Sequence, residues 1–294
     1  LYLRMSPSSK DCPNLMAIRR KSLDSYAKLK NIAARDDSVL ADKIAQLIIW
    51  FSLKKKDLSE EDKSRLDSSL VEVYKRYGIT FDNSTIVDEN GNFRTMPILS
   101  DWYEILYQEQ DTRHLAVVLS RYVTGSAAAM AGRNDIELNN KYIVLDLSGM
   151  PDDMIADGTF WATSIAYDLI MNCEDELSAL LADELWSLVG ATANPQAAGF
   201  VLEMVKTIRG LGGIAVTSTQ GMQDLFGLDG GSYGKGILDS SRIKIVMQME
   251  EQEARLIQDK LNLSEDEVRQ ITRFRRGEGL LCIGYKHVPV AFHT

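Results

Sequence analysis

The sequence contains few of the residues that build disulfide frameworks, zinc sites and membrane spans. Its three cysteines, Cys12, Cys173 and Cys282, are far apart and form no CxxC pair. An odd and scattered set excludes a disulfide framework and suits a reducing cytoplasm. Three histidines are too few and too scattered for a zinc site. No apolar run approaches the length that crosses a bilayer, and the amino terminus has no signal-peptide pattern.

An excess of positive charge is also missing. The 294 residues include 33 Lys and Arg against 42 Asp and Glu, which gives a formal net charge of -9. This balance disfavours indiscriminate binding to nucleic acid, because that binding depends on Lys and Arg contacts to phosphates. Hydrophobic residues make up 45% of the chain, enough for a sizeable core in one large domain or two smaller ones.

Two kinds of pattern follow each other along the chain. Residues 1–30 open with a strand, "LYLRM", and residues 31–125 have helical periodicity, as in "SVLADKIAQLIIWFSL". Over residues 126–294, apolar strands alternate with helices, which favours an α/β domain with a mostly parallel sheet. We therefore expect an α/β core that starts in 1–30, is interrupted by an all-helical insertion at 31–125 and resumes over 126–294. The glycine-rich stretch "GGSYGKGI" at 230–237 predicts a flexible loop.

Two adjacent carboxylates follow one of the predicted strands. In "ELSALLADELWSLVG", Leu180, Leu181 and Ala182 indicate a short strand buried on both faces, and Asp183 and Glu184 come next. In open α/β sheets, ligands bind beyond the carboxyl ends of the strands. One carboxylate can hold Mg²⁺ through water, while the other orients or deprotonates an attacking water. Alternatively, the two acids only cap the following helix, since acids are favourable at helix N-termini.

The next strand, and the helix before it, add a glutamine and an arginine. "GIAVTSTQ" changes from apolar to hydroxyl-rich and ends on Gln220, which can sense a γ-phosphate or position a water, or simply hydrogen-bond within a loop. Arg209 lies at a helix end beside Gly210, where its charge suits the helix dipole. It can instead be an arginine finger that reaches a neighbouring subunit's nucleotide, because a guanidinium is permanently charged and bidentate.

Several stretches, taken in order, carry a family resemblance. "ALLADELWSLV", "VLEMVKTIRGLGGIAVTSTQGMQDLF", "GILDSSRIKIVMQMEEQEARLI" and "RRGEGLLCIGYKHVPVAF" together resemble the C-terminal ATPase domain of the type IV secretion and conjugative-transfer ATPases, the VirB/TraC class. "YLRMSPSSKDCPNLM", "LSRYVTGS" and "IVLDLSGM" fit earlier parts of that family, so the resemblance covers nearly the whole chain. It implies a RecA-like P-loop NTPase core with a mostly parallel sheet and a small all-helical insertion.

The resemblance also implies roles for single residues. Asp183 resembles the Walker B aspartate of the magnesium site, and Glu184 resembles the catalytic glutamate. Gln220 is similar to the sensor glutamine, and Arg209 to the arginine that related hexameric motors insert across a subunit boundary. Arg276, in "RRGEG", belongs to a motif that the family shares, and we expect it near a subunit boundary or the nucleotide. The implied cofactors are ATP and Mg²⁺.

The family's phosphate-binding loop, GxxxxGK[ST], is absent from the sequence. The nearest stretch, Gly234-Lys235 in "GGSYGKGI", is followed by glycine and comes after the acidic strand, which is the wrong order for this fold. In the family this loop lies upstream of the strand with which the chain opens. We therefore expect a fragment that begins downstream of the loop and binds ATP weakly or not at all by itself, since the loop supplies most phosphate contacts.

The function implied by the resemblance is that of a hexameric motor ATPase that powers type IV secretion or conjugative transfer. Its partners are then the other subunits of its ring, components of the secretion or conjugation channel, and a possible DNA or relaxase–DNA substrate, at the cytoplasmic face of the cell membrane. Two alternatives stay open. A DNA-pumping ATPase of the coupling-protein or FtsK/HerA type shares the fold, although the acidic balance counts against it. A degenerate, non-catalytic docking module of a secretion channel fits the missing loop.

Overall fold

The computed structural model describes residues 1–18, 38–133, 136–171, 177–183, 185–190, 193–219 and 221–292. The chain forms two compact units. The first unit combines Leu1–Leu180 with Ile208–Val216, and the second unit combines Leu181–Thr207 with Thr217–Thr294. The division into a core with a helical insertion at 31–125 stays a prediction.

Four helices follow one another between residues 39 and 123, whereas strands and helices alternate from residue 144 onward. None of the helices in the described ranges is long and apolar enough to cross a bilayer. The strands are β1 (Tyr2–Arg4), β2 (Val144–Asp146), β3 (Ser178–Ala182), β4 (Gly213–Thr217), β5 (Ile243–Met247), β6 (Glu278–Ile283) and β7 (Lys286–Ala291). The helices are α1 (Val39–Lys54), α2 (Glu60–Arg76), α3 (Leu99–Gln108), α4 (Arg113–Val123), α5 (Ile155–Met171), α6 (Trp186–Val189), α7 (Pro195–Thr207), α8 (Met222–Leu225), α9 (Ser232–Ser240), α10 (Glu251–Leu261) and α11 (Glu265–Ile271).

The bounds of α2 follow from its local sequence. The Ser59 hydroxyl accepts a hydrogen bond from the Asp62 amide, and the Asp62 carboxylate accepts one from the Ser59 amide, which completes a capping box. The helix ends at Arg76, and Gly78 then adopts a φ of 74°, a conformation that glycine reaches without steric cost. Both ends of this helix are therefore set by residues within it or directly beside it.

Large aromatic side chains form the centre of the first unit. Trp50 of α1 packs edge-on against Tyr122 of α4 and Trp161 of α5, with ring centroids 5.1 and 6.0 Å apart. Phe51 of α1 packs against Trp102 of α3 at 5.6 Å. All five side chains are buried. Helix α1 therefore joins α3 and α4 to α5 through one apolar core.

Two buried ion pairs also join α1 to α5. Lys43 Nζ lies 2.5 Å from Asp168 Oδ2, and Gln46 donates to the other carboxylate oxygen of Asp168 at 2.9 Å. Eleven residues further along α1 (54 − 43), Lys54 contacts Asp157, which lies eleven residues earlier in α5 (168 − 157). The two helices therefore run antiparallel, and each lysine meets a carboxylate.

Two of the strand pairs are parallel. Tyr2 of β1 lies opposite Val144 of β2 in a parallel pair. For β3 and β4, the Ser178 amide donates to Gly212 O, and the Ser218 amide donates to Ala182 O. The residue numbers rise together along both strands, so β3 and β4 are parallel too.

The expectation that β3 is buried on both faces is wrong. Leu181 is 73% exposed and Leu177, directly before the strand, is 89% exposed, whereas Leu180 is half-buried. The alternation shows that one face of β3 has no covering layer among the described residues. An apolar run predicts a strand whose side chains can be buried, but it does not show whether another element covers each face of that strand.

The second unit contains an antiparallel sheet of β5, β6 and β7. One face of this sheet, which includes Val246, Leu280 and Cys282, packs against α10 and α11 through side chains such as Ile257 and Val268. The buried and exposed residues along β5 alternate because only this face is covered.

The expectation of a flexible loop at 230–237 is also wrong, because most of this stretch lies in helix α9. Gly231 precedes the helix with a φ of 84°, which glycine tolerates best. Two later glycines allow close packing. A Cβ on Gly234 would lie 2.0 Å from the Leu225 carbonyl oxygen, and one on Gly236 would lie 2.8 Å from Leu202. Gly234 and Gly236 therefore allow close packing between elements and do not indicate a mobile loop.

Candidate functional site

A carboxylate and a hydroxyl meet at the carboxyl ends of β3 and β4. Asp183 directly follows β3, and Ser218 directly follows β4. The Ser218 hydroxyl donates a hydrogen bond to Asp183 Oδ1, and the Ser218 amide donates to Ala182 O at 3.1 Å. Both side chains are exposed to solvent. This oxygen pair therefore lies at the end of two neighbouring parallel strands, which is the position where open α/β sheets bind ligands.

Two of the predicted site residues, Glu184 and Gln220, lie outside the described residues. Glu184 is the next residue after Asp183, and Gln220 comes two residues after Ser218. Their roles as catalytic glutamate and sensor glutamine stay predictions.

Arg209 lies in a short 3₁₀ helix, Ile208–Leu211, that leads from α7 towards β4. Ile208 is buried, whereas the Arg209 side chain is exposed, and the Arg209 carbonyl accepts a hydrogen bond from the Gly212 amide at 3.2 Å. The backbone of Arg209 is thus held in a turn while its guanidinium faces solvent. Arg209 belongs to the first unit, and its action on a neighbouring copy stays a prediction.

Arg276 lies at the tip of a tight turn that leads into β6. The Glu278 amide donates to Arg275 O at 2.9 Å, and the Arg275 amide donates to Glu278 Oε2 at 2.8 Å. Gly277, the third residue of the turn, has a φ of 85°, as a type II turn requires. The turn presents Arg276 to solvent. Its expected place near the nucleotide or a subunit boundary stays a prediction.

Sequence reasoning missed two polar groups at strand ends. One is Ser218, whose signal was the change from apolar to hydroxyl residues in "VTSTQ". The other is Asp146 at the end of β2, whose carboxylate accepts hydrogen bonds from the Tyr2 hydroxyl and, at 2.9 and 3.1 Å, from the Ser148 amide and hydroxyl. These bonds, above all the one from Tyr2, hold the pKa of Asp146 below its usual range. The sequence signal for Asp146 was an acidic residue at the end of an apolar run, as it was for Asp183.

The donor set beyond β3 and β4 fits a magnesium ion. Carboxylate and hydroxyl oxygens are hard ligands, and Mg²⁺ usually keeps several waters and binds through one or two carboxylates. In the part of the chain that the structure describes, no group of three or more His, Cys, Asp and Glu side chains could enclose a metal. Asp183 and Ser218 would therefore provide only part of a coordination shell, completed by water and phosphate oxygens.

A cavity of about 590 Å³ lies between α11 and β7. Arg269, Arg273, Glu278 and Pro289 are among its lining residues. No candidate site residue lines it, so this cavity gives no support to the predicted site.

Comparison with solved structures finds a similarity over nearly the whole chain. The structure of VirB4 of Thermoanaerobacter pseudethanolicus matches with a TM-score of 0.81 and 26% sequence identity, covering 99% of this chain and 76% of that chain. The genome packaging NTPase B204 from Sulfolobus turreted icosahedral virus 2, solved in complex with AMP, matches with a TM-score of 0.36 and 14% identity over 52% of this chain and 66% of that chain. No family model matches the chain, and no protein of curated function does.

The chain is VirB4-like in structure along almost its entire length. This similarity confirms the resemblance to the VirB class that the ordered motifs indicate. It also confirms the predicted α/β fold class, to which the parallel pairs β1–β2 and β3–β4 belong.

Proposed function

We propose that this VirB4-like chain is the ATPase-domain part of a motor that powers type IV secretion or conjugative transfer, with ATP hydrolysed at the interfaces between its copies. The similarity to VirB4 over 99% of the chain carries the proposal. The pairing of Asp183 with Ser218 at the ends of adjacent parallel strands supports it, because nucleotides and other ligands bind at this position in open α/β sheets.

In this proposal Asp183 would hold Mg²⁺ through water, and Ser218 would orient the carboxylate. The Ser218 hydroxyl donates its hydrogen bond to Asp183 Oδ1, and such a contact fixes the orientation of a metal-binding carboxylate. A bound magnesium ion would neutralise charge on phosphate oxygens. Glu184 accepts a proton from the attacking water, and Gln220 contacts that water or the γ-phosphate.

The two arginines act on charge that develops at the phosphates. Arg209 of one copy reaches the nucleotide of the next copy, and its planar guanidinium suits bidentate contact to phosphate oxygens. Arg276, at the tip of its turn, lies near the same nucleotide or near the subunit boundary. Exposure of both side chains supports roles that need a second molecule.

The working form in this proposal is a hexameric ring at the cytoplasmic face of the cell membrane. Its partners are its own copies and components of the secretion or conjugation channel, and its substrate can include DNA or a relaxase–DNA complex. The net charge of -9 disfavours a broad DNA-binding surface, so any DNA contact should be local. No observation on the described residues favours the FtsK/HerA-type pump or the non-catalytic docking module over this function.

ATP hydrolysis by the full-length protein, including its phosphate-binding loop, tests the proposal. We expect Glu184→Gln to lower turnover by about 10²- to 10⁴-fold, the usual contribution of a general base. Binding of a fluorescent ATP analogue should stay close to the wild-type level, because the variant keeps the site's shape. Unchanged turnover would remove Glu184 from the catalytic role.

Ser218→Ala tests the oxygen pair separately. Loss of a group that orients a metal-binding carboxylate should raise the Mg²⁺ concentration at half-maximal activity by about 10- to 100-fold. Asp239→Asn is the matched control, since Asp239 is an exposed acid on α9 in the same unit, and it should behave as wild type. An unchanged Mg²⁺ dependence for Ser218→Ala would show that Asp183 and Ser218 do not form the magnesium site.

A further inference from the structure

Strand β7 lies at one end of the antiparallel sheet of the second unit. In the described residues it pairs with β6 alone. The Phe292 amide donates to Gly277 O at 2.7 Å, so residue 292 directs its backbone groups towards the β6 side. Backbone groups alternate in direction along an antiparallel strand, so residues 287, 289 and 291 direct theirs away from β6. We call these three residues the β7 edge, to which another strand can add.

Pro289 limits the β7 edge without closing it. A proline fits a strand only where its nitrogen, which carries no hydrogen, points away from the neighbouring strand. The carbonyl oxygens of residues 287, 289 and 291 and the amides of residues 287 and 291 still point outwards. In the part of the chain that the structure describes, no hydrogen bond uses these groups. A short strand can therefore bond to the β7 edge on both sides of Pro289.

The cavity of about 590 Å³ between α11 and β7 runs beside this edge. Its volume lies in the usual range of ligand-binding clefts. One side of the cavity is the exposed surface of α11 and of the residue that follows its last turn. The lining residues there are Asp266, Arg269, Gln270 and Arg273. We call this cavity, together with the β7 edge, the edge groove.

The edge groove also offers apolar surface. Phe274, which is buried, and Val290 line it. Leu280 of β6 is 1% exposed, whereas Pro289, its partner in the register, is exposed to solvent. The cavity separates α11 from β7 at this point, so the proline ring has no cover among the described residues. An apolar side chain of a bound molecule would find contacts on Phe274 and Pro289.

The charges in the edge groove leave one guanidinium uncompensated. Arg269 forms an ion pair with Asp266 at 2.9 Å, and the Glu278 carboxylate accepts a hydrogen bond from the Arg275 amide at 2.8 Å. Arg273 is exposed, and its side chain has no partner among the described residues. A guanidinium forms short, bidentate hydrogen bonds with a carboxylate. The groove therefore suits a ligand that brings one carboxylate to Arg273.

We propose that the edge groove binds an extended peptide segment that carries a glutamate or aspartate. The backbone of the peptide adds to the β7 edge, its carboxylate contacts Arg273, and its apolar side chains contact Phe274 and Pro289. In strand addition of this kind, backbone hydrogen bonds provide affinity, and side-chain contacts provide selectivity. The segment belongs to a partner protein, and its binding does not depend on ATP hydrolysis.

Nucleic acid fits the edge groove less well. Binding to a phosphate backbone depends on several Lys or Arg contacts. Here Arg273 is the uncompensated cation, and the carboxylates of Asp266 and Glu278 line the same cavity, where they would repel phosphates. A second copy of the chain, pairing its own β7, is the other competing occupant.

Peptide binding to the full-length protein tests the proposal by fluorescence anisotropy. The probe is a fluorescein-labelled peptide of about six alternating valine and glutamate residues, the usual length of a strand. A second peptide has glutamine in place of glutamate, and a third has N-methyl groups on alternate amides. Arg273→Ala is the test variant. Arg242→Ala is the matched control, because Arg242 is an exposed arginine of the same unit that does not line the cavity.

We expect wild type and Arg242→Ala to bind the glutamate peptide equally. Arg273→Ala should bind it about tenfold more weakly, because it loses a hydrogen bond between charged groups. The glutamine peptide should bind Arg273→Ala and wild type equally, since it has no carboxylate. The N-methylated peptide should bind none of the proteins, because it cannot pair fully with a strand edge. Circular dichroism verifies that each variant is folded.

Several results would overturn the proposal. They include no saturable binding of the glutamate peptide up to about 1 mM, equal binding of the N-methylated peptide, and a loss in Arg273→Ala that persists with the glutamine peptide. Displacement of the peptide by a single-stranded oligonucleotide would favour nucleic acid. An affinity that falls as the protein concentration rises would favour a second copy. ATP hydrolysis is measured on the same samples, so a failure of the proposed function is seen separately from a failure of peptide binding.

Discussion

Replacing Asp157 with asparagine tests the energetic role of the buried ion pair between α1 and α5. The side chains of Lys54 and Asp157 are 14% and 6% exposed. The Asp157 carboxylate also accepts a hydrogen bond from the Tyr122 hydroxyl at 2.6 Å. The Lys54 ammonium lies 5.4 and 5.2 Å from the ring centroids of Trp50 and Tyr122. Asp157→Asn keeps the size of the side chain and an acceptor for Tyr122, but it removes the negative charge.

The expected loss of unfolding free energy comes from the charge that is left behind. Breaking a buried ion pair from one side costs about 3–5 kcal/mol. Burial, aided by nearby Arg121, lowers the pKa of Lys54 to about 7, and the Asp153 carboxylate opposes this shift. Because the Asp157 carboxylate contacts Lys54 and favours its charged form, we expect Asp157→Asn to lower this pKa further, and each unit corresponds to about 1.4 kcal/mol of folded-state destabilisation at low pH.

The loss depends on pH with a definite sign. Well below pH 7 the Lys54 ammonium is charged in the folded and unfolded states, so Asp157→Asn shows the full cost of an unpaired buried charge. As the pH rises through 7, Lys54 becomes neutral in both folded proteins while it stays charged when unfolded. The difference between wild type and variant then shrinks. We expect the loss to be largest near about pH 5.5 and smallest near about pH 8.5.

Urea unfolding followed by tryptophan fluorescence measures this loss, because Trp50, Trp102 and Trp161 are all buried in the first unit. Asp57→Asn is the control, since Asp57 is an exposed acid of the same unit and should leave the midpoint unchanged at either pH. A loss of equal size at both pH values, or a larger one at alkaline pH, would refute the assignment of a buried, titrating charge to Lys54.

Two further predictions concern the subunit boundary and the packing of α9. Because Arg209 is proposed to act on a neighbouring copy, mixing full-length Arg209→Ala with full-length Glu184→Gln should restore part of the ATP hydrolysis that each lacks alone; no recovery at any ratio would count against action between copies. Gly234→Ala should lower the free energy of unfolding by about 1–3 kcal/mol, measured by thermal unfolding, because the new Cβ would overlap the Leu225 carbonyl. Gly210→Ala, where a Cβ meets nothing within 4 Å, is the control, and an equal loss in both variants would contradict the packing argument.

Features that depend on neighbouring residues were predictable from the sequence. Ser59 and the acids after it define the start of α2, where the structure has a capping box between Ser59 and Asp62. The position of Asp183 after β3 follows from the point where the apolar run ends. Helix caps and strand ends are determined by a few adjacent residues, so they can be predicted without knowing the rest of the fold.

Features that depend on contacts between distant segments were not predictable. The glycines at 230–237 indicate flexibility by composition, but Gly234 is required because the backbone of Leu225 passes too close for a side chain. The exposure of Leu181 depends on which element covers β3. The hydrogen bond between Ser218 and Asp183 depends on β3 and β4 being neighbours. The sequence "TST" does not indicate which of its three hydroxyl residues contacts Asp183.

The equal spacing of the two ion pairs on α1 and α5 fixes how far one helix can slide along the other. Lys43 with Asp168 and Lys54 with Asp157 are separated by the same number of residues on each helix. A shift of α1 by one turn, about 5.4 Å, would pull both lysines off their carboxylates at the same time. Such a slip would leave four unmatched charges in an apolar interface, whereas aliphatic contacts alone could re-form. The two ion pairs therefore allow only one position of α1 along the axis of α5.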